Sequence, residues 1–289
     1  MIDVTKHTSE YYKRMKNSVL HGGKQELIKR VKKGDILDLG AGDGSLSISI
    51  KEHYPSSKVY AVDLSLEGKR AMEKADVQFF QQDLSDLNKV LLTGSGRQFD
   101  SIILSSVLHE ILSYSEDKQL HTVFFENINQ LLKPGGNLLI RDGVQGETKM
   151  QEKSFTLIPT EISVEVLLEM LAEFEAENLK PFCRYYQSGK FNYHQLEEMG
   201  VVINSTDEIF QELIFTLNWG PDSWNREKKE RNYFTSQSNL VKRLEASIPG
   251  RLVFGLIEND PIYYQKIREK FGIFVDYPTM QVLEYQKTK

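Results

Sequence analysis

The chain has 289 residues, 40% of them hydrophobic, with a formal net charge of −5, enough apolar material for one large core or for a core domain with a sizeable insert. A single cysteine, Cys183, excludes an internal disulfide framework; no Cys/His cluster has zinc spacing, and the acidic balance argues against a protein that lives on nucleic acid. No apolar run reaches the length of a membrane span, and residues 1–15 are too polar for a signal peptide, so a cytoplasmic chain with no membrane partner is expected.

Taken in chain order, residues 7–31 should form one or two helices around the break at Gly22-Gly23. Next comes the apolar pair Ile36-Leu37, which runs into Asp38-Leu39-Gly40-Ala41-Gly42-Asp43-Gly44. A buried strand that breaks into alternating glycines before a helix makes a floor that a ligand can approach closely, because no Cβ intervenes. Ser45 stands where a dinucleotide fingerprint wants its third glycine, and the loop has no phosphate-binding lysine. Asp38 ahead of the loop and Asp43 within it repel phosphate and attract an ammonium or sulfonium group, as S-adenosylmethionine carries.

Residues 35–40, 59–63, 77–81, 99–105 and 137–141 are short β-rich runs, separated by stretches long enough for crossover helices. The alternation predicts a parallel sheet with helices on both faces. No clear strand follows until residues 251–257 and 280–285. A helix over residues 236–246 should precede them, with Thr235 or Ser236 as N-cap and Pro249-Gly250 as stop.

The stretch DILDLGAGDGSLSISI resembles motif I of the class I S-adenosylmethionine-dependent methyltransferases, and three further segments follow in that family's order. KVYAVD is similar to its second strand, VQFFQQD to its third, and LLKPGGNLLIR to its helix end, Pro-Gly-Gly turn and fifth strand. The resemblance implies a seven-stranded, doubly wound, mostly parallel α/β sheet with a mainly helical insertion after the fifth strand. The last two strands form the family's final pair, one of them antiparallel. It also implies S-adenosyl-L-methionine as methyl donor and S-adenosyl-L-homocysteine as product. Donor contacts are then expected from Asp38, Gly40, Ala41, Gly42 and Gly44 in the loop. Asp63, 23 positions beyond Gly40, would take the ribose hydroxyls with Leu64 beside it. Asp83 and Leu84 would lie near the adenine, and Ser105 would close the fourth strand. The N-terminal leader of such proteins offers a tyrosine to the methionine moiety, a part open to Tyr11 or Tyr12, which read equally well as scaffold.

The domain reading is a helical cap over residues 1–30, a donor-binding domain over 31–145 and 235–289, and a helical insertion over 146–234 that acts as lid and substrate site. Glu161, Glu165, Glu169, Glu173 and Glu177 recur every fourth residue beside an apolar face of Ile162, Val166, Leu167, Met170, Leu171 and Phe174, the pattern of an amphipathic helix. The insertion carries sixteen acids against nine bases, which opposes a broad nucleic-acid surface. One local exception is Arg226, Lys228, Lys229 and Arg231, downstream of Trp219 and Trp224. These tryptophans either wall an acceptor pocket, with Arg226 on an anionic group, or pack in a core above an exposed basic face. Phe182, Tyr185, Tyr186, Phe191 and Tyr193 pose the same choice, with core or lid packing preferred.

Chemistry belongs at the C-terminal ends of the first, fourth and fifth strands. His109 sits where small-molecule members of the family place a histidine facing the acceptor, and is the candidate base; it reads as well as a histidine hydrogen-bonded to backbone at a strand end. Glu110 either orients it or caps the next turn, and Arg141 and Asp142 are candidates for contact with the acceptor. A post-strand acid binds metal in catechol-type members, but no second carboxylate matches Asp142, so no metal is expected. The expected activity is methyl transfer to oxygen or nitrogen of a small-molecule acceptor, with a homodimer as an admissible assembly. A methyltransferase acting on RNA or protein, and a non-catalytic donor-binding protein, are the alternatives.

Overall fold

The strand β1 (Asp35–Leu39) is buried along four of its five residues, as expected of a parallel strand covered on both faces. In the computed structural model, which describes residues 23–84, 96–114, 118–147, 152–178, 191–197, 199–233 and 235–288, it lies in the middle of a seven-stranded sheet. The helix α1 (Gly23–Arg30) precedes it, and α2 (Ser45–His53) follows the glycine loop. Then come β2 (Lys58–Asp63), α3 (Lys69–Lys74), β3 (Val77–Gln81), β4 (Phe99–Ser105), α4 (Leu108–Tyr114), α5 (Lys118–Leu131) and β5 (Leu132–Gly143).

An intervening region carries β6 (Glu152–Leu157), α6 (Val164–Asn178), β7 (Asn192–Leu196), β8 (Gly200–Thr206), α7 (Asp207–Leu217) and α8 (Pro221–Glu227). After it the chain runs through α9 (Gln237–Ser247), β9 (Gly250–Glu258), α10 (Pro261–Phe271) and β10 (Met280–Lys287). The large sheet has the order β3-β2-β1-β4-β5-β10-β9. The pairs β3·β2, β2·β1, β1·β4 and β4·β5 are parallel, and one antiparallel pair stands at the edge. This is the doubly wound sheet that the motifs imply, with order reversing between β1 and β4, where open α/β sheets bind ligands.

The chain divides into two compact units. The first comprises the described residues of Met1–Asp142, Ser238–Leu256 and Gln281–Lys289. Its apolar cluster joins Leu27 and Ile28 of α1 and Leu46 and Ile50 of α2 to Ile36, Val59, Ile103 and Leu139 of the sheet. The second unit comprises Gly143–Gln237 and Ile257–Met280. It thus includes α10, whose Ile267 and Phe271 join the cluster formed by Leu167, Phe174, Phe210 and Phe215.

Within the second unit β6 and β7 pair antiparallel on either side of β8, and Phe155 of β6 stacks on Phe210 of α7 with ring centroids 3.5 Å apart. No strand was expected in this region. The reason lies in burial: β6 and β7 are exposed along most of their length, so neither carries the apolar alternation that marks a strand in sequence. Four glutamates of the stripe, Glu165, Glu169, Glu173 and Glu177, fall on α6 with Leu167, Met170, Leu171 and Phe174 buried behind them, while Glu161 and Ile162 precede the helix. No helix among the described residues is long and apolar enough to cross a membrane.

Candidate active site

The site of the first unit is built at the C-terminal ends of β1, β2, β4 and β5. β1 hands the chain to Gly40, Gly42 and Gly44, all in the left-handed region with φ of 76°, 56° and 78°. A Cβ on Gly40 would stand 2.5 Å from Cγ2 of Val107, and one on Gly44 would enter the side chain of Met72. Glycine is therefore demanded by conformation and by close packing together. The loop is fastened to β2, with the N–H groups of Gly40 and Ala41 donating to the carbonyl of Val62 at 2.8 and 3.1 Å.

Asp63, at the end of β2, accepts from the Gly42 N–H at 2.7 Å and from the Ser65 N–H at 2.7 Å, one on each carboxylate oxygen. The Leu64 N–H is a third backbone donor to the carboxylate, which still keeps acceptor capacity for a ribose hydroxyl. Burial pushes its acidity weaker, and the backbone donors partly oppose that. Leu64 follows half-buried, its carbonyl accepting from Gln81 Nε2 at 3.1 Å. Asp83 and Leu84 lie half-buried beyond β3, where Gln82 N–H binds the Asp63 carbonyl at 3.0 Å.

Asp38 is 1% exposed. Its Oδ2 accepts from the Ser47 hydroxyl at 2.5 Å, while its Oδ1 is buried with no partner among the described residues. Burial drives this carboxyl up to about 6, against the pull of Ser47 and of the Lys24 charge. Asp43 binds the N–H and hydroxyl of Ser45 through Oδ1 at 3.0 and 2.7 Å, and its Oδ2 is likewise buried and unpartnered, as is Oγ of Ser105. Three polar atoms at the ends of β1 and β4 therefore lack hydrogen bonds among the described residues, a costly arrangement unless a ligand supplies them.

On the other side of β1, β4 ends at Ser105. Ser106 then takes a left-handed φ of 57°, with its N–H on the Arg141 carbonyl at 2.7 Å, and the chain turns into α4. Asp142, 1% exposed at the end of β5, accepts from the N–H groups of Leu108 and His109 through Oδ2 at 2.8 and 3.2 Å. Its Oδ1 lies 2.7 Å from Nδ1 of His109, which is itself buried. The carboxylate thus stabilises the start of α4 and fixes the imidazole. Asp142, a candidate for acceptor contact, thus holds the ring, and Glu110 stands half-buried in the first turn of α4. The link joins residues 33 positions apart, and no local spacing signals it.

Lys24 of α1 is a second residue the motifs did not single out. It is 6% exposed, and burial pulls its ammonium down to about 8, with Arg141 pushing the same way and Asp43 and Asp38 opposing. Its place directly after Gly22-Gly23 was legible, but no periodicity marks one lysine among the many of that segment. Tyr11 and Tyr12 lie outside the described residues, as do Phe182, Cys183, Tyr185 and Tyr186.

The remaining candidates belong to the second unit. Trp224 is 5% exposed within the apolar cluster, its Nε1 donating to Glu173 at 2.7 Å. Trp219 is half-buried at the end of α7. Arg226 pairs with the buried carboxylate of Glu227 and reaches Glu230 at 3.9 Å, Lys228 meets Glu173 at 2.9 Å, and Arg231 is buried. Much of the basic run is neutralised within its own unit.

A family model described as a methyltransferase domain matches residues 11–199. No curated protein matches the sequence. Among solved structures, a SAM-dependent methyltransferase from Methanosarcina mazei is 14% identical, with 91% of this chain and 96% of that one covered and a TM-score of 0.49. The glycopeptide N-methyltransferase MtfA, complexed with S-adenosyl-L-homocysteine, is 12% identical, with 91% and 88% covered and a TM-score of 0.46. The mitomycin 7-O-methyltransferase MmcR is 13% identical, with 91% of this chain but 52% of that one covered and a TM-score of 0.47.

Proposed function

The chain belongs to the class I S-adenosylmethionine-dependent methyltransferases, and from that premise we propose that it methylates oxygen or nitrogen of a small-molecule acceptor, with His109 as the base. The observation that carries this reading is the 2.7 Å pairing of His109 Nδ1 with Asp142. A ring that donates Nδ1–H to a carboxylate has its basic lone pair on Nε2.

The loop residues fit the donor. Asp38 Oδ1 and Asp43 Oδ2 are buried acceptors without donors among the described residues, suited to the ammonium of an amino-acid moiety, and Gly40, Ala41, Gly42 and Gly44 give backbone access. Asp63 with Leu64 would hold the ribose, Asp83 with Leu84 the adenine, and Ser105 the floor beside β4. When bound, S-adenosylmethionine supplies a methyl group already activated by its sulfonium.

The protein's own share of the work is then small. The site aligns the acceptor, which is the larger part of a bimolecular displacement. His109 Nε2 takes the proton from the acceptor hydroxyl or amine, and Asp142 holds the ring and stabilises the imidazolium that results. The ion pairs that occupy Arg226 and Lys228 favour a small acceptor over RNA, since a phosphate-binding surface needs cations free to release counterions.

The test is a labelling experiment with methyl-labelled donor and the protein-free small-molecule fraction, the RNA and the protein of a cell extract in separate reactions. Label entering small organic compounds supports the reading. Label entering only RNA or protein, or none at all, contradicts it.

A further inference from the structure

An ammonium as deep as that of Lys24, 6% exposed, ordinarily carries a carboxylate directly upon it. Here Asp43 and Asp38 attract it and Arg141 repels it through space, with no hydrogen bond to any of the three. In the same cluster Oδ1 of Asp38 and Oδ2 of Asp43 are buried and accept nothing from the described residues. Neither acid is exhausted by its neighbours, because Ser47 and Ser45 engage only the other oxygen of each. A buried cation close enough to feel two buried acceptors, yet not joined to them, leaves both halves of a zwitterion site unsatisfied.

We propose that Lys24 anchors the carboxylate of the donor's amino-acid moiety, while Asp38 and Asp43 take its ammonium. The inference rests on the donor reading of the glycine loop and adds a residue that lies outside every donor motif. A carboxylate arriving at Lys24 replaces the hydration that burial removed and screens the charge of Arg141. It also separates two functions within the cluster: the acids select for a cationic group, and the lysine selects against ligands that lack an acid.

The experiment compares calorimetric titrations of the full chain with S-adenosylhomocysteine and with its decarboxylated counterpart, which differ only in the carboxylate. Wild type should bind the complete ligand about tenfold or more tightly than the decarboxylated one, as for a charge-assisted contact. Lys24→Met should remove most of that gap and leave affinity for the decarboxylated ligand unchanged. An equal loss for both ligands, or a gap that survives the substitution, overturns the assignment. Absence of binding of either ligand to wild type overturns the donor reading itself, and the inference with it.

A second measurement varies the pH. Lys24 sits at about 8 in the free protein, and Asp38 at about 6. Raising the pH from about 7 to about 9.5 discharges the lysine while Asp38 stays ionised and Arg141 stays charged. The amine of the complete ligand, beside a carboxylate, loses its proton at a lower pH than that of the decarboxylated one, so Lys24→Met is titrated over the same range to subtract that effect. The affinity gap should shrink over that range by more in wild type than in Lys24→Met, and an equal change in the two proteins contradicts the proposal.

Discussion

Oδ1 of Asp142 lies 2.7 Å from Nδ1 of His109, while Oδ2 of the same carboxylate accepts the N–H of Leu108 at 2.8 Å and that of His109 at 3.2 Å. One side chain at the end of β5 therefore stabilises the start of α4 and sets the tautomer of the imidazole that α4 carries. Asp142→Asn retains an acceptor oxygen for α4 but offers the ring an amide in place of a carboxylate. Turnover should fall by about a hundredfold or more, with donor affinity within a factor of about three of wild type. Steady-state kinetics beside donor titration separates the two; a variant with wild-type kcat would remove the dyad from the chemistry.

Asp63 connects the glycine loop to β2 and is the proposed ribose ligand. Asp63→Ala should weaken S-adenosylmethionine binding by more than about 1.5 kcal/mol, since a charge-assisted hydrogen bond and the anchor of Gly42 are lost together. Unchanged affinity in a titration would refute the ribose assignment.

Asp38 supplies a pH dependence with a definite sign. Burial raises it from 3.8 to about 6, so the folded state binds its proton more tightly than the unfolded state. The corresponding stability is fully present below about pH 4 and is lost as the pH rises through about 6. Asp38→Asn removes the ionised form. It should stabilise the fold at pH 7.5 by up to about 3 kcal/mol and leave it unchanged near pH 4, while lowering donor affinity. Urea unfolding at the two pH values checks this; an equal effect at both would mean that Asp38 ionisation does not limit stability.

Much of the first unit was legible because its signals are local. The strand-glycine-helix passage at Gly40 to Gly44, the acid ending β2 and the Pro-Gly-Gly run each declare themselves within a few residues, and the sheet order follows from their succession. What was not legible depends on distance in sequence. The hold of Asp142 on His109, and the burial of Lys24 among Asp38, Asp43 and Arg141, join residues on separate elements. The strands β6 and β7 were missed for a different reason, since their exposed, polar faces lack a strand's alternation. The choice left open for Trp224, wall of a pocket or member of a core, depends on tertiary packing that a single Trp-x-Arg spacing does not encode.

That packing makes its own prediction. Trp224 is buried in the apolar cluster of the second unit and bonds Glu173, so Trp224→Ala should lower stability by about 3–5 kcal/mol. Arg226→Ala leaves Glu227, 2% exposed, without its cation and should also destabilise. Neither Arg226→Ala nor Lys229→Ala should change retention of RNA at low salt, and a marked loss of retention would revive the RNA reading.

The most direct test of the central claim is the formation of S-adenosylhomocysteine by wild type and by His109→Ala, both saturated with donor and supplied with the small-molecule fraction that accepts label. His109→Ala should bind donor as wild type does and form product at least about a hundredfold more slowly. Product formation at the wild-type rate across the pH range would contradict it.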